Sequence, residues 1–257
     1  MIAGGAGCRS TIAARAALLA VALLAGCATS PTSTLTREQI AAVVSNPERS
    51  AADRTNDQRR KPEAMLGFIG IRPGMTALDI SSGGGYTTEL LARAVGPSGR
   101  VYGQSPSAAR TPALLAERSK RATGAAPIVA VVQPFAEPVP AELAANGLDL
   151  VTLMFNYHDF GHLGVDRARV NAAVYRALKP GGLYVIADHA GRPGTGIGES
   201  GTLHRVEESL VKREVEAAGF RLVATGDFLR NPNDPRDRNE PDPPQPKDEF
   251  VLKFVKP

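Results

Sequence analysis

The densest run of residues able to hold a ligand is Leu78-Asp79-Ile80-Ser81-Ser82-Gly83-Gly84-Gly85-Tyr86, set between an apolar strand-like segment and a helix-like one. A chain that turns from strand to helix in so few residues needs positions that tolerate positive φ and close approach, and Gly83, Gly84 and Gly85 supply both. A ligand can then press against bare backbone at a helix N-terminus. The run is not G-x-G-x-x-G, and no Lys-Ser/Thr pair follows it, which counts against a dinucleotide or ATP enzyme. Further along, Asn156, Tyr157, His158 and Asp159 follow a second apolar segment, and Asp188-His189 closes a third. His158 can exchange a proton near neutral pH, with Asp159 or Asn156 to orient it, and His189 can face the same space. The ordinary reading of each histidine, a hydrogen-bonded structural residue, stays open beside this one. His158, Asp159, His162, Asp188, His189 and His204 are metal-ligand types. However, His158-x-x-x-His162 lacks the glutamate of a zinc-protease helix and falls in a segment that reads as a loop, so no metal is expected. No G-x-S-x-G elbow exists, which argues against a serine hydrolase.

The elements that position these groups alternate between strand and helix, the signature of an α/β fold with a mainly parallel sheet. Short helices are expected over 36–44, capped by Thr36, within 47–60 and over 62–69. Strands are expected over 76–81, 100–104, 128–132, 149–155 and 183–187, with helices over 87–95, 112–122 and 166–178 between them. Lys179-Pro180-Gly181-Gly182 is a strong helix stop. A charged helix over 203–218 precedes closing strands at 220–228 and 249–255. Asn231–Lys247 is rich in Pro, Asp and Asn. It reads either as a long solvated loop or as a flap over the substrate side.

The 257-residue chain, 43% hydrophobic and 22% charged, suits one large globular domain. Its net charge of +4 is spread through the sequence, and aromatic residues make up 5% with no Trp, so no nucleic-acid partner is expected. The two cysteines, Cys8 and Cys27, both lie near the N-terminus, which leaves the body without a disulfide or thiolate site. Residues 1–27 have the shape of an export leader: Arg9 and Arg15, then an Ala/Leu-rich run too short to span a bilayer, then Leu24-Ala25-Gly26-Cys27. That ending resembles the bacterial lipobox. The resemblance implies lipidation of Cys27, a membrane anchor on the periplasmic side, and a flexible tether over 28–35. A plain secretory signal, or a leader without function, stays open.

On the turn at 79–86, together with Pro97-Ser98-Gly99-Arg100, Asp149 opening its strand and Arg176-Ala177-Leu178-Lys179-Pro180-Gly181-Gly182, the chain resembles the class I S-adenosylmethionine-dependent methyltransferases. Asn156-Tyr157-His158-Asp159 and Ala187-Asp188-His189 are similar, more narrowly, to exported bacterial predicted methyltransferases. The resemblance implies a Rossmann-like seven-stranded, mostly parallel sheet over 36–257, with helices on both faces and the last strand antiparallel. It implies S-adenosylmethionine as cofactor, held by Asp79, Ser81, Ser82, Gly83, Gly84, Gly85 and Tyr86, and a small-molecule substrate. The family usually ends its second strand with Asp or Glu, which takes the ribose hydroxyls. This chain has Gln104, which can bond hydroxyls without charge assistance. Phe135 can pack on the adenine edge or serve as a core aromatic. Asn156, Tyr157, His158 and His189 are the catalytic candidates, for orienting or deprotonating the nucleophile. The alternative is an exported module that binds a nucleoside-like or other small ligand in the same pocket without catalysis.

Overall fold

The computed structural model describes residues 1–5, 33–241 and 244–257. Most of the leader, Cys27 included, and the first part of the tether lie outside the described residues. The end of the tether does not hang free. Leu35 donates its N–H to the Ile71 carbonyl at 3.0 Å and packs against the cluster that holds Ile69 and Ile71. Thr36 then starts α1 (Arg37–Ser45) with a reciprocal cap, its hydroxyl accepting from the Gln39 N–H and the Gln39 amide oxygen accepting from the Thr36 N–H. Two further helices, α2 (Ala51–Arg60) and α3 (Pro62–Ile69), precede the sheet. Among the described residues no helix is long and apolar enough to cross a membrane.

The sheet comprises β1 (Thr76–Ile80), β2 (Arg100–Ser105), β3 (Ile128–Val132), β4 (Leu148–Met154), β5 (Leu178–His189), β6 (Arg221–Gly226) and β7 (Glu249–Val255). Their spatial order is β3-β2-β1-β4-β5-β7-β6. All pairs are parallel except those of β7, which runs antiparallel to β5 and β6. The central strands are buried on both faces, which is why they read as unbroken apolar runs. Ala77 and Leu150 enter the cluster beneath α1, α3 and α4 (Tyr86–Val95). Leu78, Ile80, Val151 and Leu153 enter the opposite one, beneath α7 (Arg167–Ala177) and α9 (Glu208–Ala217). Among the described residues the other helices are α5 (Thr111–Arg121), two single turns, α6 (Asp159–His162) and α8 (Ser200–Leu203), and a short 3-10 turn at Ala141–Leu143. This is the Rossmann-like sheet the sequence implies.

Four segments depart from expectation. Lys179-Pro180-Gly181-Gly182 ends α7 but continues into β5, where the pairing with β4 shifts register and the Gly181 N–H donates to the Lys256 carbonyl. Asp159–His162 form the turn α6, with His158 at its N-cap, rather than a loop. The helix expected over 203–218 breaks at 204–207. His204 turns left-handed (φ 50°), Arg205 is drawn into the interior, and Val206 bridges Ala190. The 231–247 segment is a loop, mostly exposed among its described residues, but it is anchored at a point that no sequence signal marks: its buried Asp234 carboxylate pairs with the fully buried Arg205 at 2.9 Å.

Candidate active site

Strand order reverses between β1 and β4, so their C-terminal ends diverge and leave a crevice. A cleft of about 410 Å³ lies there. The turn after β1 lines one side with Asp79, Ser81, Ser82, Gly83 and Gly84, and α4 adds Tyr86. The end of β4 contributes Phe155 and Asn156, α2 contributes Asp53, Asn56 and Arg60, and α5 contributes Arg118.

The turn needs its residue types. Gly83 and Gly85 stand at φ 53° and 80°, and Ser81, which carries a Cβ, at 57°. Phe155, at the matching end of β4, is also left-handed at 60°. Two adjacent strand ends therefore hold side chains in a sparsely populated conformation, and strain of this kind concentrates at functional sites. Gln104 helps to hold Ser81 there. Its Oε1 accepts the Ser81 N–H at 2.9 Å while its Nε2 donates to the Gln133 carbonyl at 2.7 Å. Gln104 is fully buried with both ends of its amide engaged, so it props the turn and does not face the cleft. A side chain at Gly85 would collide with Leu115 and Arg118 at 2.6 and 2.7 Å, whereas one at Gly84 would meet nothing within 4 Å.

Asp79 sits on the cleft floor, almost fully buried, accepting from the Thr88 hydroxyl at 2.7 Å and the Thr152 hydroxyl at 2.8 Å. Burial raises its carboxyl to about 6, against the pull of the two threonines and the nearby Arg60. The Tyr86 hydroxyl donates to Asp57 at 2.6 Å, which fixes the ring against α2. Arg60 makes no ion pair among the described residues. Its guanidinium lies 3.9 Å over the Phe155 ring and 5.9 Å from the Tyr86 ring, and burial together with Arg59 lowers it to about 10. Arg118 closes the far edge, bonding the Gly84 carbonyl and pairing with Asp53 and Glu89, each at 2.6 Å. Sequence reasoning missed Asp53, Asn56, Arg60 and Arg118. The polar character of 47–60 was visible, but nothing in it said that this helix would wall the cleft.

Beyond β4 the four polar candidates separate. Asn156 lines the cleft, its Nδ2 donating to Asp159 at 2.6 Å and its Oδ1 buried without a partner. Tyr157 points the other way. It is fully buried, its hydroxyl donates to Glu214 at 2.6 Å and accepts from Asn171, and burial pushes it far above the ordinary tyrosine range. That location removes it from the reacting centre. His158 is also buried, with Nδ1 2.6 Å from Asp188 and Nε2 3.0 Å from Asp159. Burial opposes its charge, but Asp188 and Asp159 outweigh it and raise the ring to about 9, so His158 is already protonated at neutral pH and unsuited to act as a base there. His189 is the reverse case. Burial lowers it to about 3, and its Nδ1 makes no hydrogen bond although a Glu249 oxygen lies 3.0 Å away. It lines a smaller cavity with Arg59, Lys247 and Glu249, and its ring stands 5.6 Å from that of Phe155. Phe135 is a core aromatic, 5.1 Å from Phe160 in the opposite cluster and outside the cleft lining.

Residues 78–186, which carry most of this geometry, match the methyltransferase domain family. Among curated proteins, the chain is 33% identical over 120 residues to the ubiquinone/menaquinone biosynthesis C-methyltransferase UbiE of Psychromonas ingrahamii, covering 46% of this chain and 44% of that protein. It is 34% identical over 117 residues to the demethylmenaquinone methyltransferase of Staphylococcus aureus, with 46% and 44% covered. The matched stretch thus spans less than half the length of these relatives. Among solved structures, a SAM-dependent methyltransferase from Aquifex aeolicus superposes with a TM-score of 0.59 at 19% identity, over 87% of this chain and 100% of that one. The geranyl diphosphate C-methyltransferase of Streptomyces coelicolor, solved with Mg2+, geranyl diphosphate and S-adenosyl-L-homocysteine, superposes with a TM-score of 0.58 at 14% identity, over 84% and 88%. The fold is therefore that of the SAM-dependent methyltransferases. Residues 78–186 are similar to the methyltransferase domain, and the solved structures share the fold.

Proposed function

We propose that this protein transfers a methyl group from S-adenosylmethionine to a small-molecule acceptor. One observation carries the reading: a half-buried Arg60, without an ion pair among the described residues, shares the β1/β4 cleft with the buried Asp79 carboxylate and the bare backbone of Gly84. The cofactor carries a carboxylate, an ammonium and a sulfonium. A free guanidinium suits the first, and a buried carboxylate suits the cations. The unpaired Asn156 Oδ1 adds an acceptor at the same wall. When bound, the cofactor supplies a methyl group already activated by its sulfonium. This chain's residues have to orient the acceptor and exclude water. Phe155 and Asn156 line the cleft, and His189, neutral and lacking a hydrogen bond at Nδ1, stands next to Phe155. The likeness to quinone-pathway enzymes makes a demethylated quinone ring the first acceptor to assay. Those likenesses give no support to a ligand-binding module without catalysis.

Calorimetric titration with S-adenosylmethionine and its demethylated product tests the cofactor assignment. Saturable binding to wild type, abolished by Gly84→Val, is expected, because that side chain enters open cleft at a position with ordinary φ. A well-folded wild type that binds neither compound would refute it.

We also propose that the protein is exported and anchored through a lipidated Cys27. Leu24-Ala25-Gly26-Cys27, preceded by a short apolar run, supports this. Lipid labelling in cells should disappear with Cys27→Ser, and labelling that persists would exclude the anchor.

A further inference from the structure

All four histidines of the chain, His158, His162, His189 and His204, gather beyond the ends of β4 and β5. They come from three separate stretches of sequence: α6 and its N-cap, the end of β5, and the break between α8 and α9. The Asp159 carboxylate stands among three of them. Its Oδ1 lies 3.0 Å from His158 Nε2, 3.2 Å from His204 Nδ1 and 3.8 Å from His162 Nδ1.

We propose that His158, Asp159 and His204 form a binding site for a divalent transition-metal ion of the zinc class. Their three ligand atoms all lie within 4.8 Å of one another. A tetrahedral ion about 2.0–2.1 Å from each ligand sets neighbouring ligand atoms roughly 3.3 Å apart, close to the 3.0 and 3.2 Å separations seen here. Two imidazoles and a carboxylate form a donor set that borderline metals accept.

The surroundings of the ligands provide a second, independent argument. Metal-bound histidines characteristically give their other ring N–H to a carboxylate, which fixes the tautomer and aims the remaining lone pair. His158 does this with Asp188, a fully buried carboxylate 2.6 Å from Nδ1 that also accepts the His158 backbone N–H at 2.7 Å. Asp159 is oriented in the same manner, its other oxygen accepting from Asn156 Nδ2 at 2.6 Å. His204 is placed by its own left-handed backbone, and its side chain is 41% exposed, which leaves a path for an ion from solvent. His162 Nδ1 is engaged by the Ser200 hydroxyl at 3.0 Å, so the fourth position is left to a water. In the metal-free protein His158 Nε2 lies 3.0 Å from Asp159 Oδ1, a separation that a shared proton would bridge. The incoming ion takes that place, the His158–metal bond forms, and one proton leaves to solvent. Asn156 joins the two sites, since it bonds Asp159 and lines the cofactor cleft.

The full chain, stripped with a chelator, is titrated with Zn2+ in competition with a chromophoric chelator, and separately with Co2+ while its visible absorption is followed. One equivalent is expected to bind, with the intense Co2+ bands of a low-coordinate nitrogen–oxygen site and a rise in melting temperature. His204→Gly suits the left-handed backbone, and Asp159→Asn keeps the side-chain shape. Each should lose more affinity than the ~10–100-fold typical of a lost outer-shell partner, and Asp188→Asn should fall within that range. His189→Ala should bind as wild type does. Failure of wild type to take up an equivalent, or full affinity retained in both ligand variants, would overturn the proposal. Metal uptake is read without cofactor or acceptor, so this result stands apart from the methyl-transfer test.

Discussion

Two arginines near the C-terminal rim of the sheet meet opposite surroundings. Arg205 is fully buried. Its guanidinium pairs with Asp234 at 2.9 Å and donates to the carbonyls of Ala190 and Arg238, which ties the 231–247 segment to the end of β5. Arg60 is half-buried, has no ion pair among the described residues, and rests on the faces of Phe155 and Tyr86. Taking a guanidinium out of water is costly unless hydrogen bonds replace the hydration. At Arg205 they do, and the residue belongs to the structure. At Arg60 they do not, and the unmet capacity points into a cleft. The difference separates a polar group that builds the fold from one available to a ligand, although both are basic residues in polar stretches of sequence.

The contrast breaks if the two positions respond alike. Arg205→Met leaves Asp234 buried without its cation and should cost about 3–5 kcal/mol, a fall in melting temperature on the order of 10 °C. Arg60→Met removes no ion pair, so its melting temperature should stay at or above wild type, while S-adenosylmethionine affinity falls by roughly 10–100-fold, the worth of a hydrogen bond to a charged group. Calorimetry and thermal melts on both variants decide the matter. An Arg60→Met protein that melts as low as Arg205→Met, or binds the cofactor as wild type does, would erase the distinction.

Asp79 sharpens it with a smaller effect. The folded protein raises this carboxyl from 3.8 to about 6, so folding favours the protonated form. The stability this gives is fully present below about pH 4 and is lost as pH rises through about 6, a loss of about 3 kcal/mol by neutrality. Asp79→Asn should therefore gain stability relative to wild type at pH 7 more than at pH 4, measured by chemical denaturation. Cofactor affinity of wild type should rise over the same interval, because the ionised form attracts the cofactor's cations. A stability gain from Asp79→Asn that is equal at both pH values would show that ionisation of this group does not matter to the fold.

Much of the frame was readable in the residue order. The apolar runs expected over 76–81 and 149–155, the glycines at 83 and 85 and the Thr36 cap each encode a local outcome through periodicity, positive-φ tolerance or a capping hydroxyl, and each is found, the strands at Thr76–Ile80 and Leu148–Met154. The site was less readable. Ser81 to Tyr86 line or adjoin the cleft because they are consecutive with the turn that forms it. Tyr157 stands next to Asn156 in sequence yet faces Glu214 on the opposite side of the sheet, because successive residues leaving a strand diverge. Gln104 occupies the expected strand end, but its amide is consumed by Ser81 and Gln133, which no spacing rule announces.

The sequence by itself determined the class of fold and the glycine-rich turn that lines the cleft, since these depend on local pattern and on turn chemistry within a few residues. Tertiary structure alone decided which distant groups complete the site. It brought α2 with Arg60 against the turn after β1, broke the expected 203–218 helix so that Arg205 could meet Asp234, and by the same break set His204 beside Asp159, 45 residues away in sequence. The physical reason is that a buried ion pair and a strand-like bridge at Val206 outweigh the helical preference of four residues, and such long-range terms leave no periodic trace in the chain.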